Sequence, residues 1–94
     1  MKKHQYRLSL EYLADGEGNP VNVPAMQFEF ENHDNLFAII ERLEKREDFS
    51  PEMARQFGVG LKLFSEVMIE NRSNPLFSDL LPQFGAFMQK LKKG

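Results

Sequence analysis

The segment FGVGLKLFSEVMIENRSNPLF, Phe57 to Phe77, decides the fold, because it carries a strongly apolar helix with two glycines up to a sharp stop at Asn74-Pro75. At about 100 degrees per residue, Met53, Ala54, Phe57, Gly60, Leu61, Phe64, Val67 and Met68 share one broad face, with Gly60 near its middle. A glycine inside a helix costs about 1 kcal/mol relative to alanine. The expected compensation is another backbone passing too close for a Cβ. Gly60 is therefore expected to resist replacement by a large side chain, whereas Gly58, at the edge of the face, is expected to tolerate alanine.

Upstream of this helix, Ser50-Pro51 is a start signal, with serine at the cap and proline at the first helical position, where its missing N–H is not needed. The helix is expected to run to about Asn71. Asn74-Pro75 repeats the signal for a short turn or helix through Leu80, which Pro82 then breaks or kinks. A last helix places Leu80, Leu81, Phe84, Phe87, Met88 and Leu91 along one side and ends in Lys92-Lys93-Gly94, the charge its C-terminal dipole favours. Before Ser50, Asn32 or Asp34 is expected to cap a first helix whose buried stripe is Leu36, Phe37, Ile39, Ile40 and Leu43.

The N-terminal third has period 2 instead. From Gln5 to Leu13, Tyr6, Leu8, Leu10 and Tyr12 alternate with Gln5, Arg7, Ser9 and Glu11, and from Met26 to Glu31 apolar Met26, Phe28 and Phe30 alternate with Gln27, Glu29 and Glu31. Two half-buried strands follow. Paired antiparallel, they bring Arg7 near the glutamates of the second strand, a cross-strand pair worth roughly 0.2 to 1 kcal/mol. Val21 and Val23 are candidates to extend the second strand, with Pro24 confining any extension to an edge.

The 94 residues, 41% of them hydrophobic, are read as one domain, 1–94, with a hairpin part (4–31) and a helical part (32–93). Nine phenylalanines and no tryptophan suit a dry core. No cysteine means no disulfide framework and no thiolate metal site. No apolar run approaches a spanning helix and no signal-peptide core follows Met1-Lys2-Lys3, so a cytoplasmic protein without membrane contact is expected. Lys2, Lys3 and Arg7 at one end and Lys90, Lys92 and Lys93 at the other leave six basic residues between them against all 14 acidic ones. An acidic middle argues against a nucleic-acid-binding body, which needs a basic surface to neutralise phosphates. Weak contact through the basic tails remains an alternative.

Chemistry-bearing patterns are few. Gly58-Val59-Gly60 lacks the third glycine and the strand-to-helix setting of a nucleotide-binding loop. Glu29, Glu31 and His33 would line one strand face, but no second ligand-bearing motif accompanies them, so no metal and no cofactor are expected. Glu66 and Glu70 share a helix side without a histidine partner. Ser65 lacks a nucleophile elbow. The cluster Glu70, Asn71, Arg72 and Asn74 joins an acid, a guanidinium and two amides at a helix corner, and it is the candidate ligand or anion site against a capping role for the same residues.

Several stretches together resemble a known family. Lys3-His4-Gln5-Tyr6-Arg7, Leu10-Glu11-Tyr12-Leu13, Glu31-Asn32-His33-Asp34 and above all GLKLFSEVMIENRSNPLF, Gly60 to Phe77, are similar to small bacterial proteins grouped as domain-of-unknown-function family 3861. The resemblance covers nearly the whole chain. It implies a stand-alone bacterial protein and supplies no activity, ligand or site residue.

The expected fold is α+β, an antiparallel β-hairpin packed on three to four helices in the order ββααα. The expected function is a non-enzymatic protein-interaction module that self-associates as a homodimer. Val59, Leu63 and Ile69 lie outside the main face of the long helix and are the candidate interface.

Overall fold

The computed structural model describes Lys2 to Lys93. The order is β1 (His4–Leu10), β2 (Met26–Asn32), α1 (Leu36–Glu44), α2 (Pro51–Glu70), α3 (Pro75–Ser78) and α4 (Leu81–Lys93). This is the α+β class, an antiparallel two-stranded hairpin followed by four helices. The chain divides into two compact units, Met1–Asp34 and Asn35–Gly94.

In the first unit β1 and β2 pair in a register that sets Tyr6 opposite Phe30, Leu8 opposite Phe28 and Leu10 opposite Met26 on one face, and Gln5 opposite Glu31 and Arg7 opposite Glu29 on the other. The alternation of the sequence fixes this, since a one-residue slip would turn every apolar side chain outward. Tyr6 and Phe30 stack at 5.4 Å. Arg7 reaches Glu29 at 2.7 Å, an exposed pair and so a small contributor.

β1 stops at Leu10 and not at Leu13, and β2 does not extend back through Val23. Pairing resumes at Ala14 opposite Pro20, with the Val21 N–H donating to the Leu13 carbonyl. Three residues, 11–13, then face five, 21–25, so the ladder loses register where Pro24 has no N–H to offer. The tip is closed by Asp15. Its carboxylate accepts the N–H groups of Glu17 and Asn19, both at 2.9 Å, and its carbonyl accepts from Gly18. Gly18 takes φ +86, the left-handed conformation that suits glycine after a tight turn.

Those amides, Asn19 first and Glu17 next, hold the Asp15 carboxyl below its ordinary value of 3.8. A depressed folded value means that the charged form favours the folded tip. Its contribution is complete above pH 3.8 and is lost as the pH falls through the lower folded value. The Glu17 and Asn19 amide resonances are expected to move together with a midpoint below 3.8. A shared midpoint at or above 3.8 contradicts the turn.

Leaving β2, Asn32 is buried and its side chain accepts from the Asp34 N–H at 2.9 Å, while Tyr6 Oη donates to the Asp34 carbonyl at 2.8 Å. Asn32 therefore makes an exit turn instead of the expected cap, and Asn35 caps α1, accepting from Phe37 and Ala38.

In the second unit, Ser50 caps α2 with Pro51 in the first turn, and Asn74 caps α3 ahead of Pro75, as the sequence signals require. α3 stops at Ser78, ahead of the expected Leu80, and Pro82 opens the next helix instead of breaking one. α4 begins at Leu81, and Phe84 already donates to the Leu80 carbonyl, so proline sits in a first turn where its missing N–H leaves nothing unpaired.

The contact between α1 and α2 corrects the expected role of the glycines. A Cβ on Gly58 would stand 2.9 Å from Ile40 Cγ1 and 3.2 Å from Leu43 Cδ1, whereas one on Gly60 would meet nothing within 4 Å. Gly58 is buried with Ala54, Ser65 and Met68, and Gly60 is exposed. Likewise Phe37, expected in the α1 stripe, is 73% exposed, because it stands about 100 degrees round the helix from buried Leu36. Rings link the remaining helices: Phe57 meets Phe49 at 5.3 Å and Phe87 at 6.2 Å, and Phe64 meets Phe84 and Phe77. Arg46 binds this end, gripping Asp48 through two nitrogens, lying over Phe49 and donating to the Leu91 carbonyl. The Asp48 carboxylate raises the guanidinium's affinity for its proton.

Candidate functional site

The corner after α2 brings the expected ligand-binding residues together in sequence, and the groups whose bonds are described serve the backbone. Asn71 Nδ2 donates to the Val67 carbonyl at 2.7 Å and Arg72 Nε to the Ile69 carbonyl at 3.3 Å, which satisfies acceptors freed at a helix C-terminus. Asn74 Oδ1 accepts from the Leu76 N–H at 2.9 Å. Glu70 is the last residue of α2 and is exposed. The residue types that suit an anion also suit a cap, and the bonds formed are those of a cap.

The other expected positions disperse. His33 is exposed in the turn between β2 and α1, and among the described residues no three His, Asp or Glu side chains gather as a metal would require. Ser65 is buried and its hydroxyl donates to the Lys62 carbonyl at 3.4 Å, back onto its own helix. Lys2 and the α4 residues Lys90, Lys92 and Lys93 are exposed.

An open cavity of about 420 Å³ lies on the hairpin, lined by Gln5, Tyr6, Arg7, Glu29, Phe30 and Glu31. Its cation and one of its carboxylates are already joined at 2.7 Å.

Several large apolar side chains also remain exposed among the described residues. In the hairpin unit these are Leu10, Tyr12, Leu13, Val23, Met26 and Phe28. In the helical unit Met53, Phe64, Val67 and Phe87 are exposed, although the first three were assigned to the buried face of α2 and Phe87 to the apolar side of the last helix. Of the expected interface residues, Val59 and Leu63 are half-buried and Ile69 is exposed. Ile69 stands about 100 degrees round the helix from the other two, so the three do not form one patch. The signal that identifies the exposed set is the run of small residues Ala54, Gly58 and Ser65 on the buried row, with α1 approaching at Gly58.

Among the described residues no helix is long and apolar enough to cross a membrane.

No curated protein matches the chain. The crystal structure of a protein of unknown function from Pectobacterium atrosepticum is similar, with 38% sequence identity, a TM-score of 0.85, and coverage of 99% of this chain and 100% of that one. Residues 4–93 match the model of a domain of unknown function with a solved structure, DUF3861. A match over that span, with a relative of this identity along both chains, means that the chain belongs to the DUF3861 family.

Proposed function

We propose that the protein is a non-enzymatic interaction module that works by self-association, as a homodimer in the cytoplasm. The observation that carries this reading is the exposure of large apolar side chains on both units. On the hairpin, the apolar face of the two strands runs from half-buried Tyr6, Leu8 and Phe30 to exposed Leu10, Met26 and Phe28. A two-stranded sheet is marginal in water unless another surface supports that face, and apolar patches on a soluble domain mark places where partners sit. The side chains with chemical potential point the same way: Ser65 is turned into its helix, Arg7 is paired with Glu29, and Asn71 and Arg72 bond to backbone carbonyls.

Self-association ties stability to concentration, because a partner that binds only the folded chain raises the apparent melting temperature as its concentration rises. The melting temperature is expected to climb steadily from low to high micromolar protein. A melting temperature independent of concentration over that range contradicts the reading.

A further inference from the structure

Helix α2 carries two interleaved rows with the same 4-3-4-3 spacing. Ala54, Gly58, Leu61, Ser65 and Met68 form the first, and all but half-buried Leu61 are buried. Met53, Phe57, Gly60, Phe64 and Val67 form the second, rotated by about 100 degrees. On one margin of this second row, Phe57 and Phe64 lean on Phe87 and Phe84 of α4, both pairs at 6.2 Å. The other margin is open: Met53 is 45% exposed and Val67 51%, with Phe64 at 42% and Phe87 at 44% beside them. Gly60 lies at its centre.

We infer that this margin is the contact between two copies of the chain, with α2 crossing its own counterpart at Gly60. The inference rests on the self-association proposed above and assigns its place. Three observations carry it. First, a glycine in mid-helix costs about 1 kcal/mol of helix stability, yet no atom outside its own stretch of α2 lies where the Cβ of residue 60 would be. A second backbone drawn close to the helix gives that glycine a purpose. Second, the row is complementary to itself. Met53 and Val67 stand seven residues to either side of Gly60, so a two-fold axis at Gly60 lays the row on its own copy, as an isologous contact requires.

The third observation is area. Taking about 200 Å² for a large side chain in full view, Met53, Phe64, Val67 and Phe87 together expose on the order of 350 Å². A standard interface takes about 800 Å² from each partner, a little over half of it apolar. The row and Phe87 beside it therefore supply most of the apolar surface that a stable dimer needs, with Gln56 and half-buried Leu63 on the flank to complete the rim.

Sedimentation velocity at matched concentrations, with far-ultraviolet circular dichroism as the check on folding, tests the contact on wild type, Val67→Glu, Gly60→Leu and Ile69→Glu. All three positions are exposed, so each variant is expected to keep its helical signal. Val67→Glu buries a charge and Gly60→Leu holds the two backbones apart. Each is expected to weaken dimerisation by at least about 100-fold. Ile69→Glu, away from the row, is expected to leave it unchanged. A wild-type dimer that survives either Val67→Glu or Gly60→Leu overturns the contact and leaves self-association standing. A dimer broken by Ile69→Glu places the contact elsewhere and overturns it equally. A wild type that stays monomeric overturns both proposals.

Discussion

Met68→Ala is expected to remove about 2–4 kcal/mol of stability. Met68 is 0% exposed and, among the described residues, the largest side chain fully shielded from solvent. Truncating it loses the transfer free energy of three heavy atoms and leaves a cavity at the C-terminal end of the inner row of α2. In a chain of this size each kcal/mol moves the midpoint by about 4–8 °C, so melting is expected on the order of 10–25 °C lower. Urea denaturation of the two proteins checks it. A loss below about 0.5 kcal/mol, the scale of an ordinary surface change, would mean that Met68 is not at the centre of the helical unit.

Gly58→Leu is expected to be the other severe change, at about 2–3 kcal/mol, the upper part of the usual range for overpacking. Even the first atom of the new side chain would stand 2.9 Å from Ile40 Cγ1 and 3.2 Å from Leu43 Cδ1. Ile40 Cγ1 is held near its own backbone, so relief requires α1 to move. Gly58→Ala combines the same first contact with a helix gain of about 1 kcal/mol, and the two nearly offset. Gly60→Ala, made in a Val67→Glu background so that association does not enter, has only the gain, about 0.5–1 kcal/mol. Melting curves for all three, each made in the Val67→Glu background, check the ranking Gly60→Ala above Gly58→Ala above Gly58→Leu. The reverse order would restore Gly60 to the buried face.

That reversal marks the limit of what the residues disclose by themselves. Ser50-Pro51 and Asn74-Pro75 announce helix starts because the cap and the proline each satisfy a local need, and both starts are where they were read. The hairpin register follows from strict alternation, down to Arg7 beside Glu29. Helix α2 is different. Two apolar rows of identical spacing lie side by side on it, and periodicity gives the same weight to each. Which one meets α1 depends on Gly58 admitting Ile40 and Leu43, a question of shape that the hydrophobic pattern does not contain. The cap of α1 was hidden for a related reason. Asn32, Asp34 and Asn35 are all competent, and the bond from Asp34 to Asn32 decides which of them turns the chain and which caps it.

The candidate site was legible in a weaker sense. Glu70, Asn71, Arg72 and Asn74 were placed at a helix corner and do lie at one. The bonds of Asn71 to Val67, of Arg72 to Ile69 and of Asn74 to Leu76 concern the corner itself. Met53, Phe64 and Val67 have the composition of a core, and only their exposure in the folded chain distinguishes an outward row from an inward one.

A second copy is proposed to cover the apolar surface that this chain leaves exposed. Multi-angle light scattering on a sizing column, from low to high micromolar loading, measures it directly. Twice the chain mass of 11.0 kDa at the higher loadings, falling toward the single-chain value as the sample is diluted, is the predicted result. A mass that stays at one chain throughout would contradict it.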